Sequence, residues 1–330
     1  MTYDAQDDTG VPVYLKELAP TELVIRENGV LKLFSQDSAE EFEKLKAMVY
    51  EDMWRLMKVQ SRHLARILSV FRTSETVFIA VEKYPGQTLR QYVENLGGPV
   101  SEPFLRVFAL GLIDALEKMH REGFVHRNIS PDKVLVTPNG QPMLEPEFST
   151  LGLNISRHDK TVSRMLSKAN AYSAAEIFNE VDLQTPGSDI YSTAATMYFA
   201  ITGKDPSSAS TRIFKMARSE PDPNIKLSEM DSPINLAIRQ GVENAMKVFQ
   251  SNRYQNIEEW SRNLRLHASS TVVSTLPERK MSNLAPAQEA KVTPSENDAA
   301  PVAKSMGRTI YLILGVLLLL GLAASLFFLQ

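Results

Sequence analysis

Cysteine is absent from all 330 residues. That absence excludes disulfides, thiolate catalysis and cysteine-ligated metals. Histidine is scarce, with five in the chain, and none stands at a metal-ligand spacing. An excess of positive charge is missing as well. The formal net charge is −3, which argues against a nucleic-acid partner. The first ten residues, from Met1 to Gly10, lack the apolar run of a signal peptide and read as a flexible acidic segment over 1–10. Internal repeats are not visible.

What the chain does have is an ordinary globular composition, 43% hydrophobic and 23% charged, enough for a packed core. Its most unusual stretch is Thr309 to Leu329, which carries no charge. A helix of that length spans about 30 Å, the thickness of a bilayer core. Lys304 and Arg308 precede it and only Gln330 follows, so the positive-inside tendency puts the N-terminal side in the cytoplasm. The expectation is a single-pass C-terminal anchor over 309–329. Residues 268–308 are rich in Ala, Ser, Thr and Pro without hydrophobic periodicity. They read as a disordered tether with an end-to-end distance of roughly 35 Å.

Residues 11–267 form the expected globular unit. Glu22 to Arg26 and Val30 to Phe34 flank Glu27-Asn28-Gly29 and read as a hairpin with an Asn-Gly turn. A helix follows, with Phe42, Leu45, Met48, Val49, Met53, Leu56 and Met57 at helical spacing. Ile67 to Phe71 and Thr76 to Val81 read as a strand pair. Beyond Pro85-Gly86 the pattern is mostly helical. The fold class is therefore α+β, two-lobed, with a small β-rich lobe over about 11–84 and a larger helical lobe over about 85–267.

His126-Arg127-Asn128-Ile129-Ser130-Pro131-Asp132-Lys133, after a helix from Val107 to Arg121, resembles the His-Arg-Asp-x-x-x-x-Asn catalytic loop of protein kinases. Further segments follow in that family's order. Glu147-Phe148-Ser149 lies at the Asp-Phe-Gly position and Ala174-Ala175-Glu176 at the Ala-Pro-Glu position. Ser188-Asp189-Ile190-Tyr191 resembles the helix that anchors the large lobe, and Asn252-Arg253-Tyr254 carries the arginine that closes the domain. Upstream, Val30-Leu31-Lys32 resembles the strand bearing the nucleotide lysine, and Val81 to Leu89 the interlobe hinge. The style is that of bacterial serine/threonine kinases, which often carry one transmembrane helix after the kinase domain.

The resemblance implies ATP with Mg²⁺ or Mn²⁺ as cofactors, and phosphoryl transfer by positioning and charge neutralisation. Against that requirement the chemical positions have departed. Ala19-Pro20-Thr21-Glu22 holds no glycine where the family has a glycine-rich phosphate loop, and Pro20 removes a backbone donor. Lys32 would pair with Asp52, with Glu51 adjacent. Asn128 replaces the catalytic aspartate, and an amide cannot accept the acceptor's proton. Asp132 is the candidate substitute. Lys133 replaces the metal-binding asparagine. Glu147 replaces the metal-binding aspartate, keeping the charge on a longer arm that could hold one Mg²⁺. Ser149 replaces the glycine that lets that segment flip. The implied scaffold residues are kept: His126, Arg127, Phe148, Glu176, Asp189 and Arg253.

Three functions compete on this reading. The first is a pseudokinase, a membrane-anchored module that binds a cytoplasmic protein. The second is an active or unconventional serine/threonine kinase relying on Lys32, Glu147 and Asp132. The third is a regulator dimerised through Gly315, Gly321, Ala323 and Ala324 of the apolar helix. Ser, Thr and basic residues between Thr150 and Tyr172, among them Arg157, Lys160 and Arg164, form a candidate phosphorylation segment.

Overall fold

In the computed structural model, residues 1–36, 38–152, 169–177 and 184–266 are described, and all belong to one unit, Met1–Ser274. Its first lobe is built on an antiparallel sheet in the order β1-β2-β6-β5, from strands β1 Thr2–Gln6, β2 Pro12–Glu17, β5 Ile67–Arg72 and β6 Val77–Glu82. Alternation drives the central strand. Val77, Ile79 and Val81 of β6 are fully buried while the residues between them are not.

Strands β3 Val24–Glu27 and β4 Val30–Leu33 pair only with each other. Asn28 and Gly29, at φ 52° and 84°, form the expected two-residue turn, which needs positive φ at both positions. Helix α1, Ser38–Leu56, follows and turns Phe42, Leu45, Val49, Met53 and Leu56 into the core. Each such side chain stabilises the lobe by about 1.5–3 kcal/mol on burial.

The chain leaves β6 through Lys83-Tyr84-Pro85-Gly86 into β7, Gln87–Thr88. Gly86 has φ 153°, and a Cβ there would lie 2.5 Å from the Val136 carbonyl oxygen. Thr88 then opens helix α2, Leu89–Leu96, with a reciprocal cap to Gln91. Helix α3, Glu102–Arg121, leads to β8, Phe124–Val125. After a loop come β9 Val134–Val136, β10 Pro142–Leu144 and β11 Leu151–Gly152. The second lobe is completed by α4 Pro186–Thr202, α5 Ala209–Ala217, α6 Leu236–Ala245 and α7 Ile257–Leu266. Every residue of α4 from Gly187 to Ile201 is buried. A helix buried on all sides lies at the centre of a lobe, and α3, α6 and α7 pack around this one.

One expected boundary is corrected. Residues 1–10 contain β1, which pairs with β2 from Thr2 opposite Lys16 to Gln6 opposite Pro12. This edge strand has little burial to advertise it: four of its five residues are exposed, so the alternation that marks a strand is missing. The expected tether at 268–308 and apolar span at 309–329 lie outside the described residues, as do Arg157, Lys160 and Arg164. Among the described residues no helix is long and apolar enough to cross a membrane.

Candidate functional site

The loop between β8 and β9 hangs from one buried carboxylate. Asp189, near the start of α4, accepts the backbone N–H of His126 at 2.8 Å and of Arg127 at 2.9 Å. His120 meets the same carboxylate at 2.9 Å. Burial alone would raise the Asp189 pKa, but the hydrogen bond and charge of His120 hold it below the usual range. Arg127 has φ 65°, an uncommon value outside glycine. It is fixed there by its guanidinium, whose Nη1 donates to the carbonyls of Val125, Ser149 and Leu151 at 2.8, 3.0 and 2.8 Å. The loop is thereby tied to the segment around Glu147.

His126 adds a second tie. Its Nε2 lies 2.8 Å from the Glu145 carbonyl, and its Nδ1 accepts the Asn128 backbone N–H at 3.3 Å. That pair of roles fits neutral imidazole with the proton on Nε2. Burial pushes the His126 pKa down, in agreement. Ser149 donates its hydroxyl to the His126 carbonyl at 3.0 Å, and Phe148 packs against the core.

The cleft's charge centre is Lys16, on the fifth residue of β2 and 2% exposed. An ammonium has three protons to donate. Here they meet Glu145 Oε2, the Pro146 carbonyl and Glu147 Oε1, each at 3.0 Å. Lys133 Nζ reaches the same Glu147 Oε1, also at 3.0 Å. Burial opposes ionisation of both Lys16 and Glu147, but their mutual attraction wins. Lys16 is raised above its ordinary value by Glu147 and Glu145. Glu147 is lowered to about 2 by Lys16 and Lys133. The result is two ammonium groups balanced by two carboxylates, joining β2 of the first lobe to the segments on either side of β9 and β10 in the second.

Lys32 is not at this centre, which corrects the expected assignment. It lies on the free-standing hairpin with a side chain 57% exposed, and its ammonium pairs with Glu27 at 2.8 Å. The Lys32–Asp52 pair is not formed. Asp52, buried on α1, accepts the Gly152 backbone N–H at 2.7 Å and Arg55 Nη1 at 2.9 Å. Burial raises the Asp52 pKa despite these donors. No α1 carboxylate is among the partners of Lys16. Sequence reasoning missed Lys16, Glu145 and Arg90. A signal for the first was available: Val13-Tyr14-Leu15-Lys16 has the spacing of the Val-Ala-Ile-Lys strand motif.

Asp132, the candidate base, is held by Arg90 Nε at 2.8 Å. Arg90 also bonds Asp205 at 3.0 Å and the Tyr172 hydroxyl at 3.2 Å, and its guanidinium covers the Phe199 ring. Far below the cleft, Glu176 and Arg253 come together in a two-pronged pair at 2.7 and 3.0 Å with side chains 3% and 0% exposed. Among the described residues, no group of three or more His, Asp or Glu side chains is placed to hold a metal.

Comparison with known proteins bears on the fold. The protein kinase domain family matches residues 24–264. That match begins after the strand that carries Lys16. Sperm motility kinase 2B of Mus musculus is 26% identical over 170 residues, 52% of this chain and 34% of that protein. The serine/threonine-protein kinase AfsK of Streptomyces griseus is 27% identical over 184 residues, 52% of this chain and 22% of that protein. The chain thus spans about a third or less of the length of these relatives. The apo structure of PpkA-294 superimposes with a TM-score of 0.61 at 22% identity, covering 80% of this chain and 90% of its own, a likeness of fold.

Proposed function

The chain belongs to the protein kinase family, and from that premise we propose that it is a membrane-anchored pseudokinase, a cytoplasmic binding and regulatory module. The observation that carries this reading is the saturation of Lys16. All three of its ammonium protons are used inside the protein, so none is left for a phosphate. Asn128 stands where the family's proton acceptor would be, and general-base assistance is worth about 10²–10⁴ in rate. Its nearest acidic neighbour in the loop, Asp132, is bound to Arg90.

Kinase domains use ATP with Mg²⁺ or Mn²⁺. The residues present do not fit that pair. Glu147, the candidate metal ligand, gives one oxygen to two ammonium groups, and Lys133 is a cation where the family has a neutral ligand. The scaffold around the cleft is nevertheless fully tied, through Asp189, Arg127 and Glu176–Arg253. A rigid fold with a self-satisfied cleft suits recognition of a protein partner better than turnover. The uncharged stretch 309–329, after Lys304 and Arg308, supports anchorage by a C-terminal helix with the folded domain in the cytoplasm.

The test is incubation of the purified full chain with γ-labelled ATP, Mg²⁺ or Mn²⁺ and a general acceptor protein, beside Lys16→Ala. Label at the level of Lys16→Ala is expected; Lys16-dependent incorporation would identify a transferase instead. For the anchor, full chain should resist alkaline extraction from membranes and a chain ending at 308 should not. Equal release of both would remove the anchor.

A further inference from the structure

The poor fit to a divalent metal has a positive counterpart. Lys133 is the residue on which the misfit turns, and its ammonium sits 3.0 Å from Glu147 Oε1, on the carboxylate a metal would need. Glu147 is largely buried, with a side chain 15% exposed, whereas Lys133 is 38% exposed and reaches in from the loop before β9. Glu147 therefore has a cation from each lobe: Lys16 from β2 at 3.0 Å and Lys133 from the second lobe. Glu145 supplies the second negative charge at 3.0 Å from Lys16. Charge is balanced with nothing added.

Resting on the reading of the cleft given above, we propose that Lys133 is a built-in cation that takes the place of a divalent metal, so that the two lobes are bridged through Glu147 without metal or nucleotide. The chemistry is that of an ion exchange left permanently on one side. A carboxylate that serves a dication needs open coordination directions and neutral or anionic co-ligands. Here a co-ligand position has become a competing ammonium. Removing that ammonium should return the carboxylate to the metal. Lys133→Asn does so while adding a neutral oxygen donor; Lys133→Ala does so without one.

The test reads Mn²⁺ alone, by electron paramagnetic resonance of the free ion and by thermal shift, on the full chain in detergent. The wild-type chain should leave millimolar Mn²⁺ free and show no metal-dependent rise in melting temperature. Lys133→Asn should bind Mn²⁺ about 10–100-fold more tightly, and the added change Glu147→Gln should abolish that gain. If Lys133→Asn fails to fold, Lys133→Ala carries the same comparison. Binding of Mn²⁺ by the wild type as tightly as by the variant, or no gain on removing the ammonium, would overturn the assignment. Phosphate transfer is not the readout. A wild type that transfers no phosphate yet binds Mn²⁺ as tightly as the variant would overturn this assignment and leave the function proposed above standing.

Discussion

Arg253→Ala removes a guanidinium that is 0% exposed and faces a carboxylate 3% exposed. Its loss leaves Glu176 buried with one hydroxyl, Ser188 Oγ at 2.7 Å. A neutral hydrogen bond contributes only about 0.5–1.5 kcal/mol net, too little to offset an unpaired buried charge. Breaking a buried pair from one side costs about 3–5 kcal/mol, and this side should fall near the upper end. Glu176→Ala should fall near the lower end. It leaves Arg253 its carbonyl acceptors on Lys247, Val248 and Gly187 at 2.6, 2.6 and 3.1 Å, and the Tyr191 ring. At about 2–4 °C per kcal/mol for a domain of this size, Arg253→Ala should lower the melting temperature by about 10–20 °C. Urea unfolding in mild detergent supplies the free energies, followed by the fluorescence of Trp260, which is fully buried. The double variant should cost less than the sum of the singles, because each single strands a charge that the double removes. A cost below about 1 kcal/mol for Arg253→Ala, or strict additivity, would refute the reasoning.

Three further outcomes follow from the cleft and the lobe boundary. Lys16→Met should lose about 3 kcal/mol by leaving Glu145 without its ammonium and Glu147 with Lys133 alone, while Lys32→Met, on an exposed hairpin, should change stability by less than about 0.5 kcal/mol in the same urea assay. The Glu147 carboxyl is depressed from 4.5 to about 2 in the fold, so its contribution is present above pH 4.5 and is lost as pH falls from there towards about 2. Acid titration of Glu147→Gln should therefore show a shallower loss of stability across that window than wild type. Gly86→Ala should destabilise by about 1–3 kcal/mol or more, because φ is 153° and the added Cβ would meet the Val136 carbonyl at 2.5 Å; a melting temperature equal to wild type would contradict this.

The parts of the fold written in short-range pattern could be read from the sequence. The Asn28-Gly29 turn, the apolar face of α1 and the loop from His126 to Lys133 each depend on spacings within one or two elements. Asp189, Glu176 and Arg253 follow from the kinase resemblance, whose motifs come in order after that loop, and the structure brings them to the backbone and to each other. The lysine was not legible in the same way. Lys16 and Lys32 both lie on strands beside apolar neighbours, and only the strand order separates them. Strand β2 pairs with β6 in the main sheet, whereas β4 pairs with β3 alone. Register between strands so far apart in sequence, Lys16 opposite Ile79, is a tertiary fact. One partner of Asp52, the Gly152 amide, is likewise set by packing of α1 on β11. Strand β1 was hidden for another reason: an exposed edge strand buries nothing and leaves no period.

The cleft is closed to phosphate because the donors of Lys16 are already taken. Equilibrium binding of ATP to the full chain, with saturating Mg²⁺ and with metal chelated, measures that most directly. No saturable binding below about 1 mM is predicted in either condition. Binding at about micromolar concentration that disappears in Lys16→Ala would contradict it.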